Sequence, residues 1–143
     1  GRTHIAVIYK VTLIADGAGR FYNRSYYGQA IRRGFQSPLQ VAQKRWSEHR
    51  RSSAIHPKSA GFHYMLALYP DPNNWSWEVV ASCRQGADDD KCVTVWHEGL
   101  AGLDSDADDF PHQAHYVEPT AASLWADELE VRMIDEAGGP WGG

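Results

Sequence analysis

His4-Ile5-Ala6-Val7-Ile8-Tyr9-Lys10-Val11-Thr12-Leu13-Ile14 is the stretch whose reading decides the fold. Ile5, Val7, Tyr9, Val11 and Leu13 fall on alternate positions, which predicts a strand with one continuous apolar face. Asp16-Gly17-Ala18-Gly19 is a turn signal. The aromatic-rich residues 21–27 that follow predict a second strand. A hairpin centred between Gly17 and Ala18 would set Tyr9 opposite Tyr26, within touching range on one face. On these residues alone, an aromatic packing pair is the simpler explanation of the two tyrosines.

Outward from the hairpin, Ser37-Pro38-Leu39-Gln40 predicts a helix start. Ser37 can cap, Pro38 suits the first turn, and Gln40 completes a capping box. The helix should run to about residue 51. Arg45 and His49 are four apart on it, so their side chains share one face. Ala42 and Trp46 should anchor the adjoining face in the core. Residues 57–69 predict a second helix, ended by Pro70 and Pro72. Residues 75–81 predict a third strand. Residues 84–118 have poor periodicity and many aspartates, and they read as an acidic insertion, long for a connection in a compact domain. Pro119 and Thr120 should open a last helix that Gly138 closes, leaving 138–143 as a flexible tail. The expectation is a single α+β domain over residues 1–143, a central antiparallel three-stranded sheet flanked by helices.

The last predicted helix holds an informative misfit. At 100° per residue Ala122, Trp125, Ala126, Leu129 and Met133 form one apolar stripe. Glu130 falls at the edge of that stripe, whereas Glu128 points away and can pair with Arg132. A carboxylate beside a buried face needs a partner, an outlet to solvent, or a cation.

The net charge of −4 conceals two opposite fields. Residues 1–77 hold 11 Lys+Arg and 3 Asp+Glu, a surplus of +8, whereas residues 78–143 hold 3 and 15, a surplus of −12. The first half could attract a polyanion. No apolar run approaches the roughly 20 residues that a membrane span needs, so no membrane is expected. No signal-peptide pattern stands at the start. Two cysteines, Cys83 and Cys92, are too few for a disulfide scaffold, and an intracellular location is expected, cytoplasmic in a bacterial or phage setting.

Five segments together resemble the GIY-YIG nuclease family. Val7-Ile8-Tyr9-Lys10-Val11-Thr12 resembles its GIY motif and strand, and Tyr26-Tyr27-Gly28-Gln29 resembles its YIG motif. Arg45-Trp46-Ser47-Glu48-His49 resembles the family's arginine helix. Trp75-Ser76-Trp77-Glu78-Val79-Val80 resembles its third strand. Glu128-Leu129-Glu130-Val131-Arg132-Met133-Ile134 resembles the helix that supplies a metal-binding glutamate, with Glu130 in that position. The five cover most of residues 5–137 in the family's order. Residues 84–118 are an insertion relative to compact members, and the chain departs from the pattern in three further ways. Val7 stands where the family has glycine, the gaps after Tyr9 and Tyr26 are long, and the asparagine that often follows the last helix has no counterpart before Gly143.

The resemblance implies a metal-dependent endonuclease that hydrolyses phosphodiester bonds in double-stranded or branched DNA. The alternative is a catalytically inactive fold of this type serving as a nucleic-acid or protein-binding adaptor. Glu130 would bind one divalent cation, Mg²⁺ or Mn²⁺, since a hard ion can take a single carboxylate and complete its shell with water and phosphate. Arg45 would clamp phosphoryl oxygens. Tyr9 would partner the attacking water, assisted by His49 taking its proton or by Arg45 and the cation lowering its pKa. Tyr26 would bind the scissile phosphate or orient the water. Arg32, Arg33, Lys44, Arg50, Arg51 and Lys58 read as a phosphate-contacting track, against a simpler solvated helix face. The acidic segment reads first as a solvated loop and otherwise as a DNA mimic that restrains the enzyme or a dock for a protein partner, and a further domain beyond Gly143 stays open.

Two side readings carry less weight. Cys83, Cys92, His97, His112 and His115 are zinc-ligand types at no standard spacing, and a local disulfide is equally open. Asp104, Asp106 and Asp108 mimic the start of a calcium loop, but Asp109 and His115 stand where glycine and glutamate are needed.

Overall fold

Buried on both faces, β1 (His4–Leu13) is the centre of the molecule: Ile5, Ala6, Val7, Ile8 and Tyr9 are all inaccessible or nearly so. Such a strand must have neighbours on both edges and layers on both sides. The computed structural model describes residues 4–34, 37–55, 61–85, 92–101 and 121–137. β1 pairs antiparallel with β2 (Ser25–Arg33) on one edge and with β3 (Trp75–Gln85) on the other, and β4 (Val95–Ala101) adds to β3. The order is β2-β1-β3-β4, so β2 is an edge strand. The fold is α+β as expected, with four strands among the described residues rather than three.

The alternation of β1 divides the core in two. Ile5, Val7, Tyr9, Val11 and Leu13 join Val41, Ala42 and Trp46 of α1 (Pro38–Ile55) and Phe62, Met65 and Leu66 of α2 (Gly61–Leu68). Ala6 and Ile8 join Ala122, Ala126 and Leu129 of α3 (Ala121–Ala137) on the opposite face. Trp125 and Met133 pack against that second cluster, as the stripe predicts. Ser37 Oγ accepts from the Gln40 amide at 3.3 Å, the expected cap of α1. None of the described helices is long and apolar enough to cross a membrane.

Three expectations need correction. Residues 21–24 are not strand, because Gly19–Phe21 forms a 3-10 turn and Asn23 takes φ +64°. The hairpin instead closes where Leu13 and Asn23–Arg24 exchange backbone bonds of 3.0 and 2.7 Å. The register therefore slips by two: Tyr9 lies opposite Gly28, and Tyr26 opposite Val11. An even slip keeps both tyrosines on the α1–α2 face. Lastly, residues 84–118 are not a structureless insertion throughout, since β3 runs on to Gln85 and β4 lies within them. Residues 86–91 and 102–120 fall outside the described residues, as do 56–60 and 138–143, so Lys58, Asp104, Asp106, Asp108, Asp109, His112 and His115 do too.

Candidate active site

Tyr9 reaches the site by lying across a glycine. Its ring extends over Gly28, where a Cβ would stand 2.5 Å from both Cζ and Oη. A bulge in the β1–β3 pairing, between Ile8 and Tyr9, adjusts the strand at the same point. Crossing Gly28 carries the hydroxyl over β2, the strand that α1 and α3 contact from opposite faces.

There Tyr9 Oη bonds to His49 Nε2 at 2.7 Å, and the Arg45 side chain also bonds to it. Tyr9 packs edge-on against Trp46, and Tyr26 stacks on Phe62 with centroids 4.3 Å apart. Arg45 is partly exposed and makes a loose 3.4 Å contact with Glu48, which also holds Arg32. From α3, Glu130 is close enough to Tyr9 and Tyr26 to act on both electrostatically. The five residues Tyr9, Tyr26, Arg45, His49 and Glu130 thus form one electrostatically coupled cluster, drawn from β1, β2, α1 and α3.

Of the proposed phosphate track, Arg32 lines an open cavity of about 450 Å³ with Arg45, Gln29, Ser123 and Asp127. Arg32 is committed to Glu48, so it is less available to a phosphate than an unpaired cation. Arg33 and Arg51 are exposed, and Lys44 and Arg50 half-buried.

Burial dominates the protonation states. It pushes the Tyr9 hydroxyl far above its ordinary value, and Arg45 opposes this. Tyr26 is raised by burial and by Glu130. His49 is pushed down to about 3 by burial, then by Arg45 and His63, so it is neutral near pH 7 and accepts from Tyr9. Glu130 is raised by burial, and its bond to Gln29 and the neighbouring Arg45 hold it down while Asp127 pushes it up.

The depressed His49 predicts a pH effect on stability. Between about 3 and 6.5 the unfolded chain binds a proton at this residue that the folded chain refuses. Its contribution is therefore complete above pH 6.5 and is lost as pH falls toward 3. Melting temperatures of wild type and His49→Gln should converge as pH drops from 7 to 4, and a constant gap would contradict the assignment.

Three participants escaped the sequence reading. Asp127 sits one turn before Glu130, and Gln29 donates to its Oδ1 at 2.7 Å while also bonding Glu130. The three-residue spacing on one helix was a usable signal. His63 of α2 bonds through Nε2 to His49 Nδ1 at 2.9 Å, a contact set by how α1 and α2 pack and invisible in sequence. Gly28 was read only as part of a motif.

Two adjacent carboxylates, one of them half-buried, suit a hard cation that would relieve their repulsion. Among the described residues no group of three or more His, Cys, Asp or Glu gathers, so the fit is of the sparse kind that water and phosphate complete. Cys83 and Cys92 are free thiols joined by a hydrogen bond, and His97 bonds Ser82 at 2.7 Å instead of joining them.

No family model, curated protein or solved structure matches the chain.

Proposed function

We propose that this chain is a phosphodiester hydrolase of the GIY-YIG type that cleaves DNA with one divalent cation, Mg²⁺ or Mn²⁺. The observation that carries the reading is the convergence of Tyr9, Tyr26, Arg45, His49 and Glu130, of which Arg45 also lines an open cavity of about 450 Å³. Packing alone does not call for a neutral histidine and a half-buried carboxylate near one buried phenol, because both lose hydration there.

Each side chain then has a task. Arg45 forks onto the non-bridging oxygens of the scissile phosphate, where its fixed charge offsets what develops during attack. Partial exposure leaves it reachable, and its loose contact with Glu48 is easily given up. Tyr9 holds the attacking water and receives its proton as its own passes to His49. Concerted transfer suits a phenol that burial keeps protonated. Tyr26, stacked on Phe62, aims its hydroxyl at the phosphate or the water. Glu130, with Asp127 beside it, would hold the cation, which supplies positive charge at the phosphate when bound.

The reading is tested by incubating the purified chain with supercoiled plasmid. Nicked or linear product should form with Mg²⁺ or Mn²⁺ and none in excess EDTA. Undiminished cleavage in chelator would exclude a metal-dependent reaction, and DNA binding without cleavage under any divalent ion would favour the adaptor alternative.

A further inference from the structure

We propose that His63 is the terminal proton acceptor of a three-member chain, Tyr9–His49–His63, that draws the proton of the attacking water away from the reacting phosphate. The inference rests on the phosphodiesterase reading and assigns a task to a residue outside the five already placed in the reaction.

The chain is continuous in the structure. Tyr9 Oη and His49 Nε2 are 2.7 Å apart, and His49 Nδ1 and His63 Nε2 are 2.9 Å apart. One tautomer set satisfies both bonds in a single direction: Tyr9 donates to His49 Nε2, and His49 donates from Nδ1 to His63 Nε2. Phe62 fixes the geometry, lying edge-on to both imidazoles while it stacks on Tyr26.

Burial gives the chain its sense. Tyr9 is 1% exposed and His49 5%, whereas His63 is half-buried as a residue, with its Nδ1 enclosed. An imidazolium at His49 would be desolvated and would face the Arg45 guanidinium of its own helix, so it is a poor resting place for charge. The other ionisable groups near the chain, Tyr26 of β2 and Glu130 of α3, act on the Tyr9 end. Passing the proton one ring further moves the charge away from the Arg45 guanidinium, which stands on the helix of His49 and lowers its affinity for a proton.

The step balances without a co-reactant. Water oxygen bonds to phosphorus as its O–H bond breaks and its proton joins Tyr9 Oη, while the bond from phosphorus to the leaving sugar oxygen breaks and that oxygen departs with the electron pair and takes a proton from bulk water. The Tyr9 proton moves to His49 Nε2, and the His49 Nδ1 proton moves to His63 Nε2. His49 is left neutral in the other tautomer, and His63 carries the positive charge.

Single-turnover cleavage by wild type, His63→Ala and His63→Gln, each checked for folding by circular dichroism and melting, tests the proposal. Loss of a proton acceptor should slow the chemical step roughly 10²-fold with little change in DNA affinity. Glutamine can still accept from His49 Nδ1 but holds no proton, so His63→Gln should be as slow as His63→Ala. Added imidazole should restore part of the rate to the alanine variant only. Wild-type rates in a folded His63→Gln, or no rescue of a folded His63→Ala, would overturn the relay while leaving the phosphodiesterase reading intact. An inactive wild type would remove both.

Discussion

Glu130→Ala should abolish DNA cleavage in Mg²⁺ or Mn²⁺, whereas Glu128→Ala should change it little. The two carboxylates lie two residues apart on one helix, yet α3 turns them to different surroundings. Glu128 is exposed, while Glu130 is half-buried, bonded to Gln29 and felt by Tyr9, Tyr26 and Arg45. A cation at a reacting phosphate contributes several kcal/mol of charge stabilisation. At about 1.4 kcal/mol per tenfold, its loss should slow cleavage by roughly 10³-fold or more. The alanine should not unfold the chain, because removing a half-buried carboxylate also removes its desolvation cost. Cleavage assays over a Mg²⁺ titration read the result. Equal rates for the two variants would mean that Glu130 holds no essential cation.

Gly28→Ala should cost about as much activity as damage to a catalytic group, although it adds a single methyl. Gly28 has no positive φ, so its backbone accepts alanine without strain. The effect must come from the Cβ, which would meet Tyr9 Cζ and Oη at 2.5 Å and Cε2 at 2.8 Å. Tyr9 is wedged against Trp46 and has no open space to retreat into, so its hydroxyl must move off His49. Misplacing a reacting group by about 1 Å can cost roughly 10²-fold. The prediction is a fall of that order in cleavage rate with DNA affinity near wild type. A fully active Gly28→Ala would show that Tyr9 needs no exact position over β2.

How legible this was in the sequence depended on burial. β1 announced itself because its alternate positions face a core. The stripe on α3 did so for the same reason, and it isolated Glu130. β4 went unseen because most of it is exposed on an edge, Gly99 takes φ +71°, and its pairing with β3 is irregular, so no alternation is imposed on it. The hairpin register was misread because Gly17 and Gly19 look like a tight turn, whereas the chain between Leu13 and Ser25 is a longer loop with its own 3-10 turn. That error hid the role of Gly28, which depends on knowing what lies opposite Tyr9. The contacts of His63 and Gln29 join elements distant in sequence, and no local pattern encodes them.

The most direct measurement compares wild type with Tyr9→Phe in one cleavage assay on duplex DNA with Mg²⁺. Only a hydroxyl is removed, and the ring that fills the core beside Trp46 stays. The chain should therefore fold and bind DNA as before. Tyr9→Phe should lose cleavage by roughly 10² to 10⁴-fold, the range of a general acid–base group. A folded Tyr9→Phe that cleaves at the wild-type rate would contradict an active site built around this phenol.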